Sequence, residues 1–196
     1  MQNINYSGPV RKRNRKPTQN YAEAGSYFLT SCAHEHRLLF GRIVGGFITL
    51  NPNGLMITKW WECLPGKFRY IELGDFVVMP NHFHGIVRIE RPKSYREDQW
   101  DQRGEDTLVL TDETNWGGKM VDSLVDPSIP RIMQWFKTMS TNEFYRMQKS
   151  TGLINQTKLW QRSYWDHIIR TKADYNRISD YIKNNPTRWV ADHFHR

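Results

Sequence analysis

The run Phe76-Val-Val-Met-Pro-Asn-His-Phe-His-Gly-Ile86 constrains this chain more than any other stretch of it. Strand-favouring apolar residues on both sides of Pro80-Asn81 predict a hairpin, with one strand over 69–79 and the next over 82–89. Side chains two apart on a strand share a face, so His82 and His84 point the same way. Two imidazoles on one face can hold a divalent ion together, and Val77, Val78, Phe83, Ile86, Val87 and Ile89 supply a rigid apolar frame for them. Such a pair on its own more often marks two hydrogen-bonded histidines, so a metal reading needs support from elsewhere in the chain.

A length of 196 residues suits one domain with an insertion. The net charge of +8, with eight Trp, nine Tyr and nine Phe among the basic residues, points to a partner that carries negative charge and stacks on aromatic rings. Nucleic acid fits that description. Arg11, Lys12, Arg13, Arg15 and Lys16, bracketed by Pro9 and Pro17, read as a basic arm over 1–25 able to lie along phosphates. No apolar run approaches the roughly 18 residues of a spanning helix, so no such helix is expected. Cys32 and Cys63 cannot make a disulfide framework or a multi-cysteine zinc site; they read as small hydrophobes in a reducing cytoplasm.

Ser26-Tyr-Phe-Leu-Thr-Ser-Cys32 predicts a first strand, and the glycine-interrupted stretch 41–50 a short hairpin. Asn51-Pro52 opens a helix toward Leu64, with Leu55, Met56, Trp60 and Cys63 at helical spacing. From 92 to 127 the pattern lapses into Asp, Glu, Arg and Gly, the composition of a loop insertion. Helical periodicity returns over 128–149 with the stripe Ile132, Trp135, Phe136 and Met139; Lys137, on a more polar side, is a candidate phosphate contact. The stretch 160–170 reads as another strand. Thr171-Lys-Ala-Asp174 reads as a capping box for a last helix that runs toward Asn185 and stops at Pro186. Strands and helices mixed without a strict βαβ rhythm favour an α+β domain over 26–196, with helices packed on a mainly antiparallel sheet.

In that last helix Tyr175, Ile178 and Ile182 form the buried stripe, while Tyr181 and Asn185 lie four apart on an adjacent face. A hydroxyl and an amide can then reach one site, where the amide oxygen is an acceptable hard ligand beside two imidazoles for Mg²⁺ or Mn²⁺. Because Asn185 precedes proline, its backbone is expected outside the helical region. Tyr164 and Tyr175 read as packing residues with a hydroxyl partner, and Asp166-His167 as a strand-surface pair with ordinary hydrogen bonds.

Val-Val-Met-Pro-Asn-His82-Phe-His84-Gly-Ile, then Ile132-Met-Gln-Trp-Phe-Lys137, then Trp160-Gln-Arg-Ser-Tyr-Trp-Asp166-His-Ile-Ile-Arg170, then Tyr181-Ile-Lys-Asn-Asn185-Pro186, in this order, resemble the single-tyrosine HUH transposases, above all the REP-associated tyrosine transposases. The resemblance leaves the 92–127 insertion unplaced. It implies a ferredoxin-like palm, His82 and His84 as metal ligands, Asn185 at a third-ligand position and Tyr181 as nucleophile. The implied activity is metal-dependent cleavage and rejoining of single-stranded DNA at hairpin-bearing sites, through a 5′-phosphotyrosine, in the cytoplasm or on a bacterial nucleoid. Relatives can form dimers in which one subunit's tyrosine serves the other's histidines, so monomer and homodimer both stay open. The alternative is a noncatalytic nucleic-acid-binding regulator that retains the fold.

Overall fold

The computed structural model describes residues 23–91, 125–150, 152 and 158–191. In chain order these form β1 (Gly25–Cys32), β2 (Gly41–Val44), β3 (Phe47–Leu50), α1 (Pro52–Glu62), α2 (Leu64–Lys67), β4 (Ile71–Met79), β5 (His82–Ile89), α3 (Ile129–Ser150), β6 (Trp165–Ile169) and α4 (Lys172–Asn184). A 3-10 turn over Pro186–Ala191 follows α4. The basic arm and most of the 92–127 insertion lie outside the described residues. The last residues of that stretch rejoin the fold at Val125, whose N–H donates to Lys67 O and whose carbonyl accepts from Arg69, each at 3.0 Å.

Local chemistry starts the helices where the sequence predicts. Asn51 caps α1, its Oδ1 accepting the Gly54 N–H at 3.0 Å ahead of Pro52. Thr171 caps α4 by accepting the Asp174 N–H at 3.0 Å. The other half of the expected capping box does not form, because the Asp174 carboxylate is engaged by His167 and Arg177. The last strand is also shorter than 160–170. Trp160 makes only an isolated bridge to Ala33, and the ladder with β1 begins at Trp165, opposite Thr30.

The main sheet has the order β4-β5-β1-β6, with every neighbouring pair antiparallel. Taken with α1 between β1 and β4, and α3 between β5 and β6, this is the βαββαβ connectivity of a ferredoxin-like palm. The strand period of two divides the residues of β5 between its faces. On one face Phe83 meets Trp61 of α1 and Phe136 of α3, with ring centroids 4.6 and 5.3 Å apart, at the centre of the main core. Gly85 lies on this side too, where a Cβ would stand 2.6 Å from the Trp61 ring; the indole lies against the bare strand. The opposite face carries a smaller core, Ile86 and Ile169 of the sheet with Ile178 and Ile182 of α4, flanked by Phe28, Val77 and Tyr175. Between Leu73 and Phe76, β4 bulges, setting Gly74 and Asp75 against the single residue Ile86.

Candidate active site

His82 and His84 project from β5 onto the face that α4 covers, beside Cys32 and Thr30 of β1 and Met79 and Val77 of β4. Their ring centroids are 4.5 Å apart, and neither ring is more than 1% exposed. A partner meets each Nδ1. His82 Nδ1–H donates to Asn81 Oδ1 at 2.8 Å, and Thr30 Oγ1 lies 2.7 Å from His84 Nδ1. A neutral ring with its proton on Nδ1 presents its lone pair at Nε2, the state in which imidazole ligates a metal. Burial, reinforced by the neighbouring His82, holds the His84 pKa well below the ordinary value, so its ring is neutral at physiological pH.

The helix α4 brings Tyr181 to this pair. Its hydroxyl lies 3.3 Å from His84 Nε2, and Phe28 of β1 contacts both rings, at 5.2 Å from His84 and edge-on at 6.2 Å from Tyr181. Tyr181 remains 37% exposed as a residue, while its hydroxyl is turned toward the buried His84 ring. Eight residues later Trp189 stacks on His82 at 6.0 Å. The chain thus touches His84 at Tyr181 and His82 at Trp189, with Asn185 midway between.

Asn185 is 2% exposed, and its Oδ1 is buried without a hydrogen-bond partner among the described residues. Leaving such an oxygen unsatisfied costs about 1–3 kcal/mol, so its lone pair is available to a cation or another donor. The expectation that Asn185 leaves the helical region is corrected here: its φ of −57° and ψ of −44° are αR. The chain continues directly from α4 into the 3-10 turn, where the Arg188 N–H donates to Asn185 O at 3.1 Å. That continuity outweighs the local bias of a residue before proline.

Two imidazoles and one amide oxygen would make a wholly neutral donor set. Among the described residues no group of three or more His, Cys, Asp or Glu could hold a metal, so no carboxylate joins them in such a cluster. Chemically, such side chains could hold a divalent cation and leave positions for water or phosphate oxygen.

The other candidates fall elsewhere. Lys137 sits on α3, against the opposite face of the sheet, and its Nζ donates to the Gln161, Arg162 and Ser163 carbonyls, tying that loop to the helix. Burial lowers its pKa to about 8. Arg11, Lys12, Arg13, Arg15 and Lys16 lie outside the described residues. His167 pairs with Asp174 of α4 at 3.0 Å, Tyr164 is in the main core, and Tyr175 packs on the smaller one. Sequence reasoning did not identify Thr30, Phe28 or Trp189 as site residues. Asn81 was visible only as a turn residue, although its place immediately before His82 was the available signal.

No protein-family model matches the chain. An uncharacterized protein of Haemophilus influenzae is 31% identical to it over 181 residues, covering 88% of this chain and 86% of that protein. Among solved structures, one described as the REP-associated tyrosine transposase bound to a REP hairpin superposes with a TM-score of 0.52. It is 18% identical and covers 89% of this chain and 74% of its own. The two share a fold.

Proposed function

We propose that this chain, which belongs to one family with the uncharacterized Haemophilus influenzae protein, is a single-tyrosine HUH transposase that cleaves and rejoins single-stranded DNA at hairpin-bearing sites. The observation that carries this reading is the convergence of Tyr181 on His84 within one chain, at 3.3 Å, beside a second buried histidine. The fold shared with a transposase bound to a REP hairpin supports the same choice of substrate.

His82 and His84 through Nε2, and Asn185 through Oδ1, would hold a divalent cation. The cation, when bound, supplies positive charge to a scissile phosphate. The residues around it do the rest. Asn81 orients His82, and Thr30 orients His84, so neither ring needs to turn on binding. Because every donor is neutral, a phosphodiester brings the negative charge that the protein ligands lack. Tyr181, partly exposed, would present its Oη to the phosphorus, and displacement of the 3′ oxygen requires that approach to be in line.

An ordinary phenol with a pKa near 10 is only about one part in a thousand ionised at neutral pH, so attack depends on positioning and on the charge at the phosphate. The Tyr181 Oη–P bond forms and the P–O3′ bond breaks. The phenolic proton passes to water, and the 3′ oxygen leaves as a hydroxyl after taking up a proton. A phosphodiester linkage is thereby exchanged rather than spent, which lets the strand be rejoined to another 3′ end.

The test is incubation with labelled single-stranded hairpin DNAs and Mn²⁺, read on denaturing gels. A slow-migrating covalent adduct is expected from the native chain and none from Tyr181→Phe, with hairpin binding retained in both. Normal cleavage by Tyr181→Phe would remove the nucleophile assignment. Hairpin binding by the native chain with no adduct would favour a noncatalytic regulator.

A further inference from the structure

The bulge in β4 presents both of its residues to α4. Where Leu73 pairs with Val87 and Phe76 with Gly85, Gly74 and Asp75 together oppose Ile86. An extra residue of this kind bends a strand and re-aims a side chain, and such bulges gather beside active sites. Asp75 Oδ2 accepts the Ser179 hydroxyl and pairs with Lys183 Nζ at 3.3 Å. Ser179 and Lys183 bracket Tyr181, two positions before it and two after.

Gly74 contributes by the atom it lacks. A Cβ there would stand 2.8 Å from the Tyr175 hydroxyl of α4 and 3.0 Å from Ile86 Cβ of β5, so a larger residue would have to displace the Tyr175 side chain. Gly74 therefore leaves room for Tyr175 to reach the bulge. The apolar contact of Ile178 and Ile182 with the smaller core is non-directional, and by itself tolerates sliding and rotation. The Asp75 contacts are directional and sit either side of Tyr181.

Resting on the reading of Tyr181 as nucleophile, we propose that Asp75 is the positioning residue of the tyrosine helix. By holding Ser179 and Lys183 it keeps α4 in the register that points Tyr181 at His84 of the same chain. A misplacement of about 1 Å at a reacting group costs on the order of 100-fold in rate, so this anchoring bears on the chemistry more than on hairpin binding.

The experiment compares Asp75→Ala and Asp75→Asn with the native full-length chain, using Mn²⁺ and labelled hairpin DNA. Its readouts are the adduct-forming rate at saturating DNA, the hairpin Kd, and amide exchange in α4 relative to α3. Asp75→Ala is expected to slow adduct formation at least about ten-fold, to leave Kd within about two-fold, and to speed exchange in α4 while α3 is unchanged. Asp75→Asn can still accept from Ser179 and is expected to recover most of the rate. Should Asp75→Ala not fold, Ser179→Ala carries the same readouts and the same expected direction.

Unchanged α4 exchange, a native adduct rate in Asp75→Ala, or a rate loss accounted for wholly by weaker hairpin binding would overturn the proposal. A native chain that binds hairpins without forming an adduct would overturn the nucleophile reading instead, and exchange in α4 would still decide whether Asp75 holds the helix.

Discussion

The two faces of the sheet are built on opposite principles. Against α1 and α3 lies a large apolar core in which Trp61, Phe83 and Phe136 interlock. Against α4 four isoleucines suffice, and the same face buries His82, His84, Thr30 and Asn185. Burying polar groups is costly unless they find partners, so a face designed only for stability would not carry them. The contrast teaches that the first face holds the sheet rigid while the second uses that rigidity to fix the polar side chains of the candidate site. β5 serves both, because Phe83 and His84 are neighbours in sequence and opposites in space.

The largest effect that separates the faces should come from Phe83→Ala. Emptying the centre of the main core is expected to cost about 3–5 kcal/mol in urea unfolding, enough to threaten folding itself. A loss below about 1 kcal/mol would mean that the α1 and α3 face does not carry the stability assigned to it.

A smaller effect should appear with pH on the other face. The folded His84 pKa lies well below 6.5, whereas the unfolded ring titrates near about 6.5. Between those values the unfolded chain binds a proton that the folded chain does not. The contribution of a neutral His84 is therefore whole above about pH 6.5 and is lost as pH falls toward the folded value. One proton corresponds to a slope of at most about 1.4 kcal/mol per pH unit. Urea unfolding between pH 7.5 and pH 5 should show a steeper acid loss for the native chain than for His84→Gln; equal slopes would place the His84 ring outside a dry environment.

The smallest effect belongs to Tyr181→Phe, the variant expected to abolish adduct formation. Its side chain is partly exposed, so the change in stability should stay within about 0.5 kcal/mol. A large loss would make Tyr181 a structural residue of α4 and blur the division between the faces.

The parts of this arrangement that sequence reasoning reached are those encoded by short-range pattern. Alternation around Pro80-Asn81 located β4 and β5 to within a residue or two, and the stripe from Ile132 to Met139 located α3. The order of blocks brought His82, His84, Tyr181 and Asn185 into one hypothesis. What was missed depends on contacts between distant segments: Thr30 lies 54 residues from His84, and Ser179 lies 104 from Asp75. No local period encodes such pairs. At Trp160 burial arises from the packing of a side chain rather than from a ladder, so the apolar pattern overstated β6. At Asn185 the local preference of a residue before proline gave way to the continuous path from α4 into the turn behind it.

The turn at Pro80-Asn81 has a consequence for how this chain can change over generations. The Asn81 carbonyl accepts from Ala33 N, the Pro80 carbonyl from Phe40 N, and the Asn81 side chain both donates to His36 O and accepts from His82. Those ties fix where β5 begins counting. A one-residue slip of register there would exchange the two faces of the strand, carrying both histidines into the aromatic interior and turning Phe83 toward α4. Substitution along β5 leaves that count intact, whereas a change that slipped the strand by one residue would cost the core and the candidate site together.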